Sequence, residues 1–378
     1  MHKIYKTYRV IILIGFLSFL LLPAIQKKFN FIDVEPLSGA ITPPQKAVFS
    51  IKNWFTGEYQ KQSEKYLDES FGFRSLFIRT HNQIAFSLFN KAKANGVLIG
   101  KNNYLYEENY LKAYNGWDFV GEKAIKSRLS KIKYLQDTLQ KLNKTFILIF
   151  AAGKGSFYPE YFPKAYKVKP KQTNYKTYIS ICKKMKINCI DFNAYFLQQK
   201  NKSTYPLYPK YGIHWSIYGM GIAADSIIHY IESKRGIKMP HIYWNKITIE
   251  DAKDTDYDIG YGMNLLHKIT DNPMAYPVFQ FENDSNKVKP SSLFISDSFY
   301  WGMFNFGISN VFTDNQFWFY NEEVYPESYS KPLKVRGLDL KKCIASKDVI
   351  VILATEATLP KLGWGAIESM YFSYRKTK

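Results

Sequence analysis

Two short segments of this 378-residue chain carry side chains suited to acyl chemistry. The first is Leu293–Phe294–Ile295–Ser296–Asp297–Ser298–Phe299, an apolar run that ends in a small polar cluster. Such a run reads as a buried strand, and catalytic groups in α/β sheets gather at the carboxyl ends of strands. Ser298 stands where the chain should turn toward a helix beginning near Trp301. A hydroxyl there would be exposed above the sheet, beside backbone N–H groups that could meet an oxyanion. A serine that only caps the following helix suits the same position, and the residues leave both readings open.

The second segment is Tyr211–Gly212–Ile213–His214–Trp215–Ser216–Ile217–Tyr218–Gly219. A serine nucleophile needs a base within hydrogen-bond reach, and the order of the two in the chain does not matter. Of six histidines, His214 is the one expected at a loop-to-helix junction between Gly and Trp. His2 precedes an apolar leader, His81 falls in an N-terminal helical region, and His241 follows Pro240. His229 and His267 fall in expected helices. A purely structural role remains the competing reading of His214.

No metal site is expected, because the histidines are scattered and no His-Glu-x-x-His pattern occurs. Gly153–Lys154–Gly155–Ser156 lacks the upstream glycine and spacing of a nucleotide-binding loop, so no cofactor is implied. Cys182, Cys189 and Cys343 match no metal-ligand spacing. Buried free thiols are expected, although Cys182 and Cys189 could pair.

Positioning such residues requires a sizeable core. Apolar residues at 46% and charged ones at 22% provide for it and argue against wholesale disorder. The 30 Tyr and 28 Phe suit a packed core or grooves that stack on sugar rings. The net charge of +20 comes from lysines spread along the whole chain. With neither an Arg-rich patch nor a reading motif, nucleic acid is not an expected partner.

The N-terminus is basic at Lys3, Lys6 and Arg9, then apolar from Val10 to Leu22, and is closed by Pro23 and Lys27–Lys28. That is the layout of a signal peptide or signal anchor. Without a convincing small-residue cleavage site, a retained anchor is expected. The basic leader would stay cytoplasmic and the bulk of the chain would lie outside. Phe29 to Gln45, rich in Pro and Gly, reads as a linker. Ser50 to Phe89 reads as two helices broken at Gly72, and Gly96 to Tyr106 as a hairpin.

Helices are expected at Glu122 to Leu142, Asn174 to Met185 and Ser216 to Tyr230. Strands are expected at Thr145 to Ala151, Ile187 to Phe192, Ser291 to Ser296, Phe317 to Tyr320 and Val349 to Ala354. Strands apolar on both faces and separated by helices predict an α/β fold, with a mostly parallel sheet covered by helices on both faces.

From about Trp54 onward the chain resembles the SGNH hydrolase-like alginate O-acetylation family, AlgJ and AlgX with their bacterial relatives. The resemblance rests on ordered blocks: Phe71–Gly72–Phe73–Arg74, Gly96–Val97–Leu98–Ile99–Gly100–Lys101, Tyr104–Leu105–Tyr106, Lys154 with Tyr158–Pro159–Glu160, His214–Trp215, Asp297–Ser298–Phe299 and Tyr320–Asn321. It implies a circularly permuted SGNH hydrolase-like fold, with the histidine ahead of the serine. With the leader and linker read above, three parts are expected: a signal anchor over residues 1–28, a linker over 29–49, and the acyltransferase domain with its helical lead-in over 50–378. An anchor without a carbohydrate-binding extension looks more like the AlgJ branch.

The resemblance assigns Ser298 as nucleophile and His214 as base, with Ser298 and Asn321 holding the oxyanion. Lys154, Trp215 and Tyr320 would line the acceptor groove. The implied activity is transfer of an acetyl group to a hydroxyl of an extracytoplasmic polysaccharide through an acyl-serine. The polymer could be anionic. A multi-span membrane acyltransferase would deliver the donor, and the chain would sit at a bacterial inner membrane with its bulk in the periplasm. One position departs from the family pattern: Gly212 stands where an aspartate usually orients the histidine. A carboxylate from elsewhere, such as Asp191, or a backbone carbonyl would have to take that role. Otherwise activity is low or lost. An acetylesterase acting on the polysaccharide and a non-catalytic polysaccharide-binding or assembly component are the competing readings.

Overall fold

The computed structural model describes residues 2–39, 42–169 and 171–375. Contacts divide the chain into two compact units, residues 1–95 with 260–268, and residues 96–259 with 269–378.

The first unit is helical: α1 (His2–Phe29), α2 (Ile51–Phe55), α3 (Glu58–Ser70) and α4 (Arg74–Phe89). Within α1, Thr7–Phe29 is a 23-residue stretch, long and apolar enough to cross a membrane, with an unburied 18-residue window of mean hydropathy 2.2. The end of α1 is gripped by the α3–α4 turn. Gly72 N–H donates to the Pro23 carbonyl at 3.2 Å, and a Cβ at Gly72 would lie 2.3 Å from that oxygen. Buried Gln26 closes the following turn by pairing its amide with the backbone of Ile32. The expected break at Gly72 is present. A further break at Gly57, whose φ of 78° is left-handed, makes three helices of Ser50 to Phe89 where two were expected. Asn82 Nδ2 donates to the Met263 carbonyl at 2.9 Å and ties the 260–268 segment to α4.

The second unit is built on a six-stranded sheet. Among the described residues this unit has twelve strands, beginning with the predicted antiparallel hairpin, β1 (Val97–Ile99) and β2 (Leu105–Glu107), followed by β3 (Thr145–Ala151) and β4 (Cys189–Asp191). Four short strands follow: β5 (Ile242–Tyr243), β6 (Ile247–Asp251), β7 (Pro273–Pro277) and β8 (Gln280–Phe281). They form two small antiparallel ladders, β5 with β8 and β6 with β7. The sheet is completed by β9 (Ser292–Ser296), β10 (Asn315–Phe319), β11 (Glu323–Tyr325) and β12 (Val349–Thr355). The order is β11-β10-β9-β12-β3-β4, parallel throughout except for the β10–β11 pair.

Alternation along the central strands explains the two covered faces. Phe146, Leu148 and Phe150 of β3, Leu293 and Ile295 of β9, and Ile350, Ile352 and Ala354 of β12 share one core. Over that face lie α5 (Glu122–Lys141), α6 (Asn174–Met185) and, near the C-terminus, Ala366–Tyr374. The opposite face is covered by α7 (Ile217–Arg235) and α8 (Phe299–Asn305), with Phe294 and Tyr300 stacked at 4.1 Å between ring centres. α7 runs five residues beyond the expected Tyr230, and His267 lies in a bend where a helix was expected. All three cysteines are free; Cys182 is buried, and Cys189 and Cys343 are partly so.

Candidate active site

Ser298 stands two residues past the end of β9 and is the N-cap of α8, yet its side chain makes no cap hydrogen bond. Asp297 does that work: its Oδ1 accepts from Phe299 N–H at 3.1 Å. Its Oδ2 accepts from the Thr355 N–H, the Thr355 hydroxyl and the Thr358 hydroxyl at 2.9, 3.0 and 2.8 Å. A fully buried carboxylate with four donors clamps the β9 turn to the end of β12. Burial still pushes its pKa up, against those hydrogen bonds. The Ser298 hydroxyl is thereby left for another partner.

That partner is His214. Its Nε2 lies 2.9 Å from Ser298 Oγ, and its Nδ1 lies 2.5 Å from Asp258 Oδ2. A carboxylate only accepts, so Nδ1 carries the proton in the neutral ring, and the Nε2 lone pair faces the serine hydroxyl. Burial alone would lower the His214 pKa. The charge and hydrogen bond of Asp258 outweigh it, with Asp297 and Glu107 adding, and the pKa stands above its ordinary value. The His214 ring also packs against Phe299 at 4.7 Å between ring centres.

Asp258 explains the unusual glycine. A Cβ at Gly212 would lie 2.4 Å from the Thr255 carbonyl oxygen and 2.9 Å from the Asp256 carbonyl carbon. The 255–258 segment therefore occupies the space in which an aspartate at 212 would have to fit. Asp256 Oδ1 accepts from Ile217 N–H at 3.1 Å, and Asp258 Oδ1 accepts from Ile213 N–H at 2.9 Å. The segment thus holds both ends of the His214 loop and delivers the orienting carboxylate from a different place in the chain. Asp191 is engaged elsewhere, accepting from Ala194 N–H and the Tyr175 hydroxyl. Sequence reasoning missed Asp258 because nothing local marks it among Asp254, Asp256 and Asp258. The absent side chain at Gly212 was the available signal.

The expected groove residues divide. Lys154 is fully buried, so it cannot greet an acceptor from solvent. Its ammonium donates to the carbonyls of Lys210 and Gly212 at 2.9 and 2.6 Å, bracing the loop that carries His214. Burial lowers its pKa to about 7, opposed by the nearby carboxylates of Asp258 and Glu107. Trp215 is also a core residue, packed edge-on against Phe192 and Phe299 at 5.8 and 5.4 Å. Both corrections have the same cause: apolar enclosure dictates these positions, and residue type alone does not reveal it.

Tyr320 does reach the serine. It follows β10 in the left-handed region, with φ of 50°, and its N–H donates to the Ser296 carbonyl at 2.8 Å. Its phenol is raised in pKa, first by burial and then by Asp297, while hydrogen bonding to the side chain and backbone of Ser298 draws it back. Asn321, also left-handed at φ 56°, donates its Nδ2 to the Trp364 carbonyl at 3.1 Å. The Asn321 amide is thus tied to the 364 turn, and the hydroxyl beside Ser298 is that of Tyr320, which accepts from Ser298. Tyr320 also lines a cavity of 450 Å³ together with Trp364, Arg128 and Lys361.

The arrangement can deprotonate a serine hydroxyl, stabilise the resulting imidazolium and meet a developing oxyanion. A family model described as the SGNH hydrolase-like domain of acetyltransferase AlgX matches residues 97–262, which include His214 and Asp258 and end before Ser298. Solved structures with a similar fold include the O-acetyltransferase domain of Pseudomonas putida AlgJ, at 16% identity and TM-score 0.48, covering 74% of this chain and 99% of that one. Pseudomonas aeruginosa AlgX follows at 14% identity and TM-score 0.46, covering 74% and 68%. Bacillus cereus PatB1 with a sulfonyl adduct stands at 12% identity and TM-score 0.46, covering 70% and 97%. No curated protein matches. Over residues 97–262 the chain is similar to the SGNH hydrolase-like domain of acetyltransferase AlgX.

Proposed function

We propose that this protein transfers an acetyl group to a hydroxyl of an extracytoplasmic polysaccharide through an acetyl-Ser298 intermediate. The observation that carries the reading is the hydrogen-bonded line Ser298–His214–Asp258, at 2.9 and 2.5 Å. His214 Nε2 takes the Ser298 proton as Oγ attacks the donor carbonyl, and it returns that proton to the leaving group. The oxyanion is met by the Ser298 N–H and the Tyr320 hydroxyl. His214 then takes the proton of the sugar hydroxyl, whose oxygen attacks the acyl-serine. Ser298 leaves with that proton. Asp258 keeps the ring in the productive tautomer throughout.

The cavity beside Tyr320 supports an acceptor groove in which Trp364 stacks on a sugar, while Arg128, Lys361, Glu322 and Glu368 offer hydrogen bonds to its hydroxyls. The apolar helix at Thr7–Phe29 supports attachment to the bacterial inner membrane, with the catalytic unit in the periplasm. A multi-span membrane acyltransferase would supply the acetyl donor there, with no cofactor needed.

The test is incubation of the purified chain with an activated acetyl ester, with and without polysaccharide, followed by peptide mass spectrometry. Acetyl on Ser298 that moves to the polymer is expected, and S298A should form neither product. Release of acetate alone, at the same rate with polymer present, points to an esterase. No acetyl on Ser298 in the wild type overturns the reading.

A further inference from the structure

We propose a divalent transition-metal site, of the zinc class, formed by Asp225, His229 and His241 at the far end of α7 from the catalytic histidine. One ligand atom from each of the three lies within 4.8 Å of the others. Asp225 and His229 are one turn apart on α7, and His241 comes from the chain that returns just before β5. His229 lies twelve residues into the helix, about 18 Å along its axis from Ile217 at 1.5 Å per residue, so the site is separate from Ser298 chemistry.

Hydrogen bonding argues for a cation. Glu232, nearly buried, has Oε1 fixed by Met239 N–H at 2.8 Å. Its two oxygens lie 3.2 Å from His229 Nδ1 and 3.3 Å from His241 Nε2. The other nitrogens, His229 Nε2 and His241 Nδ1, face the Asp225 carboxylate at 3.4 and 3.2 Å. Each ring thus faces two carboxylates, and a neutral ring has one N–H to offer, so one of its nitrogens sets a lone pair against an oxygen whichever tautomer it adopts. Protonating both rings would relieve this by placing two cations side by side, with ring centres 4.2 Å apart. A single divalent ion held by Asp225, His229 Nε2 and His241 Nδ1 relieves it with the N–H of each ring turned to Glu232.

The spacing fits. Metal–nitrogen and metal–oxygen bonds of about 2.0–2.2 Å put neighbouring ligands about 3.3 Å apart in a tetrahedron. Two imidazoles and one carboxylate are donors that suit zinc, and they leave one position for water. Glu232 would act as the outer carboxylate that orients ligating histidines. The ion would pin the 236–241 return to α7, a structural function.

The full-length chain, purified in detergent without a histidine tag and stripped with EDTA, is titrated with Zn2+ against a chromophoric chelator and separately with Co2+. One equivalent should bind, with the strong visible absorption of four-coordinate Co2+, and the melting temperature should rise with Zn2+. His229 is more than half exposed, so H229A should fold as the wild type does in EDTA while losing the site. E232Q should weaken binding by about 10- to 100-fold. Equal Zn2+ binding by wild type and H229A, or no binding by the wild type, overturns the proposal. Acetyl transfer by EDTA-treated protein is expected to persist either way, which keeps this test independent of the proposed function.

Discussion

Gly212 and Asp258 divide one task between them: the first has no side chain so that the second can reach His214. A Cβ at 212 would stand 2.4 Å from the Thr255 carbonyl oxygen, and Asp258 Oδ2 stands 2.5 Å from His214 Nδ1. The orienting carboxylate is relocated, and the non-catalytic reading loses the motive that Gly212 gave it.

Asp258→Asn should therefore lower turnover steeply. The equivalent change in a serine protease, a documented case, costs about 10⁴-fold by stabilising the wrong tautomer. Acetylation rate of Ser298 is the measurement. Adding Gly212→Asp to that variant should not restore activity, because the backbone of 255–256 fills the space. Full activity in Asp258→Asn would remove Asp258 from the mechanism.

The pH–rate profile follows from His214. The base must be neutral, and its pKa lies above the ordinary value because Asp258 outweighs the effect of burial. Activity should thus rise with pH through a midpoint above about 6.5. In Asp258→Asn that midpoint should fall. A group with a raised pKa stabilises the fold below its unfolded pKa, and that contribution fades as pH rises through the folded one. The variant should accordingly lose more stability in acid than in base, read from denaturant midpoints at each pH.

Tyr320→Phe removes the hydroxyl beside Ser298 while keeping the ring. Loss of an oxyanion donor typically costs about 10²–10³ in kcat. The expected pattern is a lower kcat with little change in acceptor KM. A change in KM alone would limit Tyr320 to the groove.

Lys154→Met tests the brace under the His214 loop. It strips the ammonium donor from the Gly212 carbonyl while the Lys210 carbonyl keeps Leu105 N–H at 3.1 Å, and a buried acceptor left unpaired costs about 1–3 kcal/mol. A lower melting temperature is expected together with slower turnover, and weaker polysaccharide binding is not. The lowered lysine pKa adds a second signature: wild-type stability should gain as pH climbs from about 7, where the buried ammonium sheds its proton, and Lys154→Met should lack that gain.

Much of this was legible in the residues. The strands β3, β9 and β12 announce themselves as short apolar runs because both of their faces are covered. Ser298 and His214 are legible because each closes a loop beside such an element. The 236–290 region was not, since its strands are two to five residues long and carry no sustained pattern. The burial of Lys154 and Trp215 was hidden for another reason: a lysine bonded to two carbonyls and one at the surface are the same letter. Asp225, His229 and His241 were likewise scattered letters, joined only by the turn after α7.

The grip of Gly72 on Pro23 reaches beyond local packing. Because the last turns of the apolar helix are seated in the fold of the helical unit, a bilayer that fixes the helix also fixes the tilt of that unit. A swivelling tether would let its surface sample every direction, whereas this joint transmits rotation. Substituting Gly72 with even alanine would unseat the joint and free the unit to tumble on its leash.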